Sequence, residues 1–241
     1  MIPNIRTLFV VITLILRSSV FAPQTIADEH EGYKTRKVLG WTVHVSEELL
    51  NKMPEKTEIA MKLFEEQLQK VVERVPGKVV NRLRTVPVWF SPKYPNFGHS
   101  GEYHPDKKWL IDNGRRAELA QCIEFTNVEI FQKEVKRMPM VALHELAHSY
   151  HHQHLTFDHP EIIAAYKAAK EAGKYEKVQR NNGTEVKAYA LTNHKEYFAE
   201  TSEAYFGEND FYPFNKQDLQ DYDPLMYRVL TKVWEVKDIE E

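Results

Sequence analysis

The sequence predicts an α+β protein with a single domain. Strand-like segments lie before residue 130, helical periodicity dominates after it, and no repeat or long linker divides the chain. The one cysteine, Cys122, excludes an intramolecular disulfide, and we expect it to be a small buried core residue. Stability therefore has to come from packing and from any bound metal.

The first 27 residues are typical of a secretory signal peptide. Arg6 supplies the positive region, Leu8 to Leu16 form a short apolar region, and Thr25-Ile26-Ala27 supplies a small-residue cleavage site. The apolar run is too short to span a membrane, although an uncleaved N-terminal anchor is an alternative. Cleavage near Ala27 predicts a secreted or periplasmic domain of residues 28–241 with no stable membrane insertion.

Charge and composition bear on the partners of this mature domain. Loss of Arg6 and Arg17 changes the formal net charge from -3 to -5. A negative charge argues against nucleic acid as a partner. The length suffices for one domain with a good core, and we expect a monomer.

The predicted elements follow in chain order. Trp41 to Val45 alternates like a strand, and Ser46 caps the helical sequence after it. Apolar spacing predicts a long helix over 57–75, which Pro76-Gly77 ends. Two further strands are predicted at Val86–Phe90, where Pro87 favours an edge position or a strand start, and at Cys122–Val128. Later helices are predicted at 140–150, 160–172, 193–206 and 223–236.

The segment from Ser91 to Gly114 reads as loop, because it is rich in proline and glycine. Its aromatic and histidine side chains either pack on the surface or line a cleft. These side chains are Tyr94, Phe97, His99, Tyr103, His104 and Trp109.

The strongest functional signal is the sequence His144-Glu145-Leu146-Ala147-His148. Histidines four residues apart lie one turn apart on the same side of a helix, so both imidazoles can reach one metal ion. This H-E-x-x-H pattern is typical of zinc hydrolases, in which the carboxylate is the general base. The surrounding helix is apolar over most of its circumference, which predicts that it is buried. Two core histidines bonded to the backbone are the alternative.

A catalytic zinc site needs a third protein ligand, and two residues compete for this role. His154 lies at the metzincin spacing, but His151 replaces the glycine that allows a sharp turn after the helix. No methionine turn follows, because the sequence around Met226 is more typical of a helix start.

Glu196 is the other candidate. The segment Asn193–Gly207 has helical periodicity, with Asn193 as N-cap, and it places Glu196, Glu200 and Glu203 on one stripe. An acidic stripe facing water is the alternative, but the opposite arc is heavily aromatic. We therefore expect Glu196 as the third ligand and Glu200 as the residue that orients a ligand histidine.

These motifs resemble those of known protein families. H-E-x-x-H followed by E-x-x-x-E on a second helix is the gluzincin arrangement, and Glu196-Tyr197-Phe198-Ala199-Glu200 resembles a segment of the anthrax lethal factor catalytic domain family. The H-E-L-A-H, N-H-K-E-Y-F-A-E and Asn209–Phe214 segments also resemble a family of secreted bacterial proteins of metallopeptidase type. The resemblance implies a zincin-like metalloprotease domain with one zinc ion. It also implies that Tyr189, seven residues before Glu196, stabilises the transition state.

The expected function is a secreted zinc peptidase acting on a peptide or protein substrate. Zinc held by His144, His148 and Glu196 would activate a water, and Glu145 would accept its proton and pass it to the leaving amine. His194 is a second candidate donor to the transition state, and His151 is a candidate pocket residue because it lies on the ligand face.

The sequence leaves three alternatives open for this site. The domain could bind zinc without turnover, it could be a metzincin with His154 as third ligand, or the histidines at 151, 152 and 154 could hold a second metal. In each case, the expected architecture has a sheet lobe with the long helix, a helical lobe with both motif helices, and a cleft between them.

Overall fold

The computed structural model describes residues 30–95, 98 and 101–236. Within these residues it contains a five-stranded sheet, a two-stranded sheet and helices on both sides, so the predicted α+β class is confirmed. The predicted signal peptide and the loop residues Phe97 and His99 lie outside the described residues.

The strands are β1 (Tyr33–Val38), β2 (Trp41–Ser46), β3 (Val88–Ser91), β4 (Gly101–Tyr103), β5 (Ile123–Thr126), β6 (Val178–Gln179) and β7 (Glu185–Val186). The helices are α1 (Glu47–Lys52), α2 (Pro54–Arg74), α3 (Gly77–Leu83), α4 (Lys107–Asp112), α5 (Val128–Arg137), α6 (Val141–Tyr150), α7 (Pro160–Glu171), α8 (His194–Phe206), α9 (Lys216–Tyr222) and α10 (Pro224–Val233). A π-helical turn (His151–Leu155) follows α6, and a 3-10 turn (Tyr189–Leu191) precedes α8.

The main sheet is mixed, with strand order β1-β2-β3-β5-β4. β2, β3 and β5 are parallel, whereas β1 and β4 pair antiparallel at the two edges. Pro87 directly precedes β3, so it marks a strand start rather than an edge strand. β1 was not predicted, because its exposed face is charged, as is common for an edge that must not pair further.

One face of the sheet is covered by the long helix α2. Its Phe64 ring lies 5.4 Å from Phe90 of β3 and 5.3 Å from Phe125 of β5, measured between ring centroids. The helix begins at Pro54, in the first-turn position where a missing N–H costs nothing, and it ends before Pro76. This layer forms the largest hydrophobic core of the described chain.

The opposite face of the sheet is covered by the loop-rich segment and by α4. Trp89, Leu110 and Cys122 are buried there in a second, smaller core, as expected for Cys122. Tyr94 and His104 contact the buried carboxylate of Glu124, at 2.9 and 3.0 Å, so these two aromatic residues pack on this face. Tyr103, by contrast, lies on β4 at the cleft.

The predicted strand at Cys122–Val128 is shorter than expected, because Asn127 adopts a left-handed conformation with φ 60°. The chain then enters α5, a helix that was not predicted. The predicted helices at 160–172, 193–206 and 223–236 correspond to α7, α8 and α10. Asp223 caps α10 by accepting from the Met226 N–H at 3.4 Å, which confirms a helix start there.

The two motif helices pack directly against each other, and α6 also contacts β4, β5 and α2. Helix α6 therefore lies between the sheet and α8, which leaves it almost completely buried. Among the described residues, no helix has the length and apolar character needed to cross a membrane.

Candidate metal centre

Helices α6 and α8 bring the motif residues together. Asn193 caps α8 with its side-chain oxygen, which accepts from the N–H groups of Lys195 and Glu196 at 2.8 and 3.0 Å. This cap fixes the first turn of α8, from which Glu196 points towards α6. Because α6 and α8 are in direct contact, Glu196 meets His144 and His148 although about 50 residues separate them in the chain.

The three side chains present their ligand atoms as a nearly equilateral triangle. His144 Nε2 and His148 Nε2 are 3.1 Å apart, and Glu196 Oε2 lies 3.2 and 3.1 Å from them. Tetrahedral zinc with bonds near 2.0–2.1 Å separates neighbouring ligand atoms by about 3.3 Å. Two imidazole nitrogens and one carboxylate oxygen at this spacing therefore fit a zinc ion.

The carboxylate and imidazole in this triangle strongly influence each other. Burial acts to raise the pKa of Glu196, but hydrogen bonds from His144 and His148 outweigh it and lower the pKa below its ordinary value. Burial acts to lower the pKa of His144, but hydrogen bonds to Glu196 and Glu203 hold it well above its ordinary value. A proton and a metal ion therefore compete for His144.

The far side of the His144 ring contacts Glu203. His144 Nδ1 donates to Glu203 Oε1 at 2.7 Å, whereas the nearest oxygen of Glu200 lies 3.9 Å from the same nitrogen. This corrects the expectation that Glu200 orients the histidine. The physical reason is helix geometry, because the side chain one turn further along α8 reaches the deeper nitrogen of the ring. A buried carboxylate on Nδ1 fixes the ring orientation and directs Nε2 towards the metal position.

Glu145 lies beside the triangle and is held by the edge strand. Its Oε2 accepts from the backbone N–H of Tyr103 at 2.9 Å. Gly101 allows this approach, since a Cβ there would lie 2.9 Å from Phe125 Cε1 and 3.3 Å from Glu145 Oε1. One carboxylate oxygen is thus fixed by β4, and the Glu145 side chain lines the cleft.

Tyr189 lies at the cleft, on the 3-10 turn before α8. Its side chain is half exposed and lines two cavities at the ligand triangle. Partial burial and the nearby charge of Glu196 raise the pKa of its phenol, so it stays a proton donor near neutral pH. The phenol is available to a ligand in either cavity.

Two other histidines considered from the sequence point away from the cleft. His194 Nε2 donates to the carbonyl of Phe157 at 2.8 Å, which occupies its N–H. His151 is fully buried between Phe157 and Phe198, with ring centroids 5.3 and 4.8 Å away, and it lines neither cavity. The structure therefore corrects the prediction of His151 as a pocket residue: the helix continues through it in a π-helical turn that rotates it into the core.

His154 is likewise distant from the triangle. Its ring packs on Tyr150 at 5.4 Å, and the chain does not turn at His151, which keeps helical angles of φ -58° and ψ -45°. The sharp turn required by the metzincin spacing occurs only later, at Thr156 with φ 66°. Among the described residues, no group of three or more side chains that could hold a metal ion includes His152 or His154.

Two adjoining cavities meet at the triangle: His144, His148 and Glu196 all line the second, and His144 also lines the first. The cavities have volumes of about 310 and 270 Å³ and share Gly101, His144, Glu145 and Tyr189. The first also contains Arg137 and Arg180, and the second contains Lys195. The candidate ligand triangle thus lies within an extended cleft along β4.

Sequence reasoning missed several residues of this site. Glu203 could have been found, because it lies on the same helical stripe as Glu196. The Tyr103 N–H and the two cavity arginines carry no local sequence signal, since the fold alone brings them to the cleft. Comparison with protein-family models, curated proteins and solved structures gives no match for this chain.

Proposed function

We propose that the protein is a zinc-dependent metallopeptidase of the gluzincin type. The observation that carries this proposal is the triangle of His144, His148 and Glu196 atoms at 3.1–3.2 Å, next to the carboxylate of Glu145 in an open cleft. A purely structural zinc site would favour a fourth protein ligand and has no use for a neighbouring base.

Zinc held by these three residues would polarise a substrate carbonyl and make a water acidic enough to attack it near neutral pH. Glu145 accepts the proton of the attacking water and then delivers it to the leaving amine. The hydrogen bond from the Tyr103 N–H holds the carboxylate in one orientation through both transfers.

Tyr189 stabilises the negative charge that develops on the substrate oxygen. Its phenol lines both cavities at the triangle and stays protonated, so it donates a hydrogen bond to the oxygen of the tetrahedral intermediate. His194 is a weaker candidate for this role, because its Nε2–H is already donated to a backbone carbonyl.

The architecture supports a zincin-like fold for this domain. Both edge strands of the mixed sheet are antiparallel, and one of them, β4, contacts the H-E-x-x-H helix α6. The deep position of Glu203 supports a site evolved to hold a metal, since it fixes the ring of a ligand histidine. Secretion after cleavage near Ala27 is part of the same proposal and rests on the sequence alone.

The proposal is tested with the wild-type protein and Glu145→Gln. Both are purified from the secreted fraction, analysed for bound metal, and incubated with a broad peptide library whose cleavage products are identified by mass spectrometry. We expect one zinc per chain in both proteins and peptide cleavage by the wild type only. Stoichiometric zinc without cleavage in either protein would instead support a zinc-binding module without turnover.

A further inference from the structure

The larger cavity beside the metal ligands contains two arginines that the proposed mechanism does not use. Arg137, from the end of α5, and Arg180, which follows β6, both line it. Its walls are otherwise partly apolar, through Met138, Val141 and Phe211. A group entering this cavity from the cleft therefore passes apolar walls and meets guanidinium groups.

The arginines are held in place from behind by a buried carboxylate. Asp210 is fully buried and accepts from Arg180 Nε and Nη2 at 3.0 and 2.7 Å. The Arg180 guanidinium also lies over the Phe211 ring, 4.7 Å from its centroid. Arg137 is fixed by Glu134, which accepts from its Nε and Nη2 at 3.1 and 2.6 Å. Both guanidinium planes are thus preorganised before any ligand binds.

The most exposed charged side chains of this cavity are its two arginines. The Arg137 and Arg180 side chains are 39% and 26% exposed, whereas Asp210 and Glu134 are 0% and 17% exposed. Arg137 Nη1 is only weakly engaged, at 3.5 Å from Asp210. The carboxylates paired with the arginines are therefore more deeply buried than the guanidinium groups.

The other two carboxylates that line the cavity are less accessible than the arginines. Glu145 is hydrogen-bonded to the backbone of β4, and the side chain of Glu200 is only 2% exposed. A basic side chain in this space would face two guanidinium groups at close range, which is unfavourable. A carboxylate would complete their hydrogen bonding in the bidentate geometry that guanidinium favours.

We propose that this cavity binds a carboxylate of the peptide substrate, which makes the enzyme selective for acidic substrates. This inference rests on the proposed peptidase function and adds a substrate class to it. The carboxylate comes either from an aspartate or glutamate side chain near the scissile bond or from the C-terminus of the peptide. The two sources share one chemistry and are separated by the choice of peptides.

The test measures binding without turnover. Zinc-loaded Glu145→Gln protein is titrated into fluorescein-labelled peptides, and anisotropy gives the dissociation constants. The panel derives from one parent peptide, with a single glutamate or glutamine scanned through each position and with a free or an amidated C-terminus. We expect the carboxylate form to bind about tenfold more tightly at one position or at the C-terminus, as charge-assisted hydrogen bonds to two arginines require.

Three second-site variants locate this preference. Arg180→Gln and Arg137→Gln should each reduce it to less than about threefold, because a neutral amide keeps one donor but loses the charge. Lys195→Gln removes a positive charge from the second cavity, which is lined by His144, His148 and Glu196 but by neither arginine, and should leave the preference intact. Arg180→Gln removes the main partner of buried Asp210 and risks misfolding, whereas Arg137→Gln leaves that partner in place.

Equal binding of the acidic and neutral peptides would overturn the inference. So would a preference that persists in both arginine variants or that disappears in Lys195→Gln. These outcomes are distinct from failure of the proposed function, which is judged by cleavage of the peptide library by the wild-type protein. A cleaving enzyme without carboxylate preference would retain the peptidase proposal and remove only the subsite.

Discussion

Helix α8 and strand β4 form opposite walls of the cleft, and they hold the motif residues by different means. α8 is a buried helix of 13 residues with a side-chain cap, and it contributes side chains: Glu196 to the ligand triangle and Glu203 to the back of His144. β4 has three residues at a sheet edge and contributes its backbone, through the Tyr103 N–H on Glu145.

Under the proposed function, this difference separates metal binding from catalysis. Substitutions on α8 should weaken metal binding first, because Glu196 supplies a candidate ligand atom and Glu203 holds the His144 ring. Substitutions at β4 should leave metal binding intact and should change the orientation of Glu145, the proposed general base. Tyr189 lines the cleft between the two walls and is not one of the three candidate ligands. Its substitution should therefore change turnover alone.

The largest effect is expected from Glu196→Ala on the α8 wall. Loss of one of three protein ligands should abolish stoichiometric zinc binding and all peptidase activity, whereas the matched variant His154→Ala should keep its zinc. Metal analysis after gel filtration measures both. Retention of zinc in Glu196→Ala together with its loss in His154→Ala would place this protein among the metzincins.

Tyr189→Phe should come next in size. It keeps the ring and its packing but removes the donor to the tetrahedral intermediate, so kcat and kcat/KM should fall by about 100- to 1000-fold with little change in KM. Zinc content and thermal stability should stay near the wild-type values. Normal turnover in this variant would make Tyr189 a packing residue and leave His194 as the next donor to examine.

On α8, Glu203→Gln should weaken zinc binding by about 10- to 100-fold, because the carboxylate on His144 Nδ1 orients the ligand ring. Glu200→Gln is the matched control, one turn earlier on the same helix and equally buried, but 3.9 Å from that nitrogen. Competition with a fluorescent zinc chelator gives both affinities. An equal loss in the two variants would contradict a special role for Glu203.

At β4, Gly101→Ala should lower kcat by about tenfold without changing the zinc content, because a small displacement of the strand misplaces the base. The added Cβ would lie 2.9 Å from Phe125 Cε1, so the strand has to shift. Gly77→Ala is the control, since no atom lies within 4 Å of a Cβ at that position. Loss of zinc in Gly101→Ala would show that the two walls are not separable.

The smallest effect concerns the core behind the site. His151 is fully buried with neither ring nitrogen hydrogen-bonded within the described structure, and burial lowers its pKa to about 3. His151→Leu removes this unsatisfied polar group and should raise the free energy of unfolding by about 1 kcal/mol at pH 7. Urea unfolding measures it, with the partly exposed His154→Leu as control.

The pH dependence sharpens this last prediction. The folded-state pKa of His151 lies below its unfolded value near 6.5, so the unfolded chain takes up the proton first as the pH falls. The wild type should therefore lose stability from about pH 6.5 downwards, by up to about 2 kcal/mol at pH 5 from this residue alone. His151→Leu should lose less, keeping only the part due to groups such as His44, whose pKa burial lowers to about 4. Parallel curves for the two proteins would contradict the assignment.

The strands and helices that the sequence predicted correctly are those whose local pattern matches their burial. β2, α2, α6, α8 and α10 carry clear apolar periodicity or recognisable caps, and the structure contains all of them. The ones missed are β1, β4, β6, β7, α3, α4, α5 and α9, which are short, charged or rich in glycine and proline. Such segments gain their structure from neighbours rather than from their own pattern, as β4 does from pairing with β5.

The sequence by itself determined the chemistry of the candidate ligands. Spacing of four residues places His144 and His148 on one side of a helix, and the same rule places Glu196, Glu200 and Glu203 on one stripe. Only the tertiary structure decided which carboxylate meets which nitrogen, that His151 turns into the core, and that β4 supplies an N–H to Glu145. The physical reason is that local periodicity fixes the face of a helix, whereas the rotation and approach of two packed elements depend on contacts distributed over the whole core.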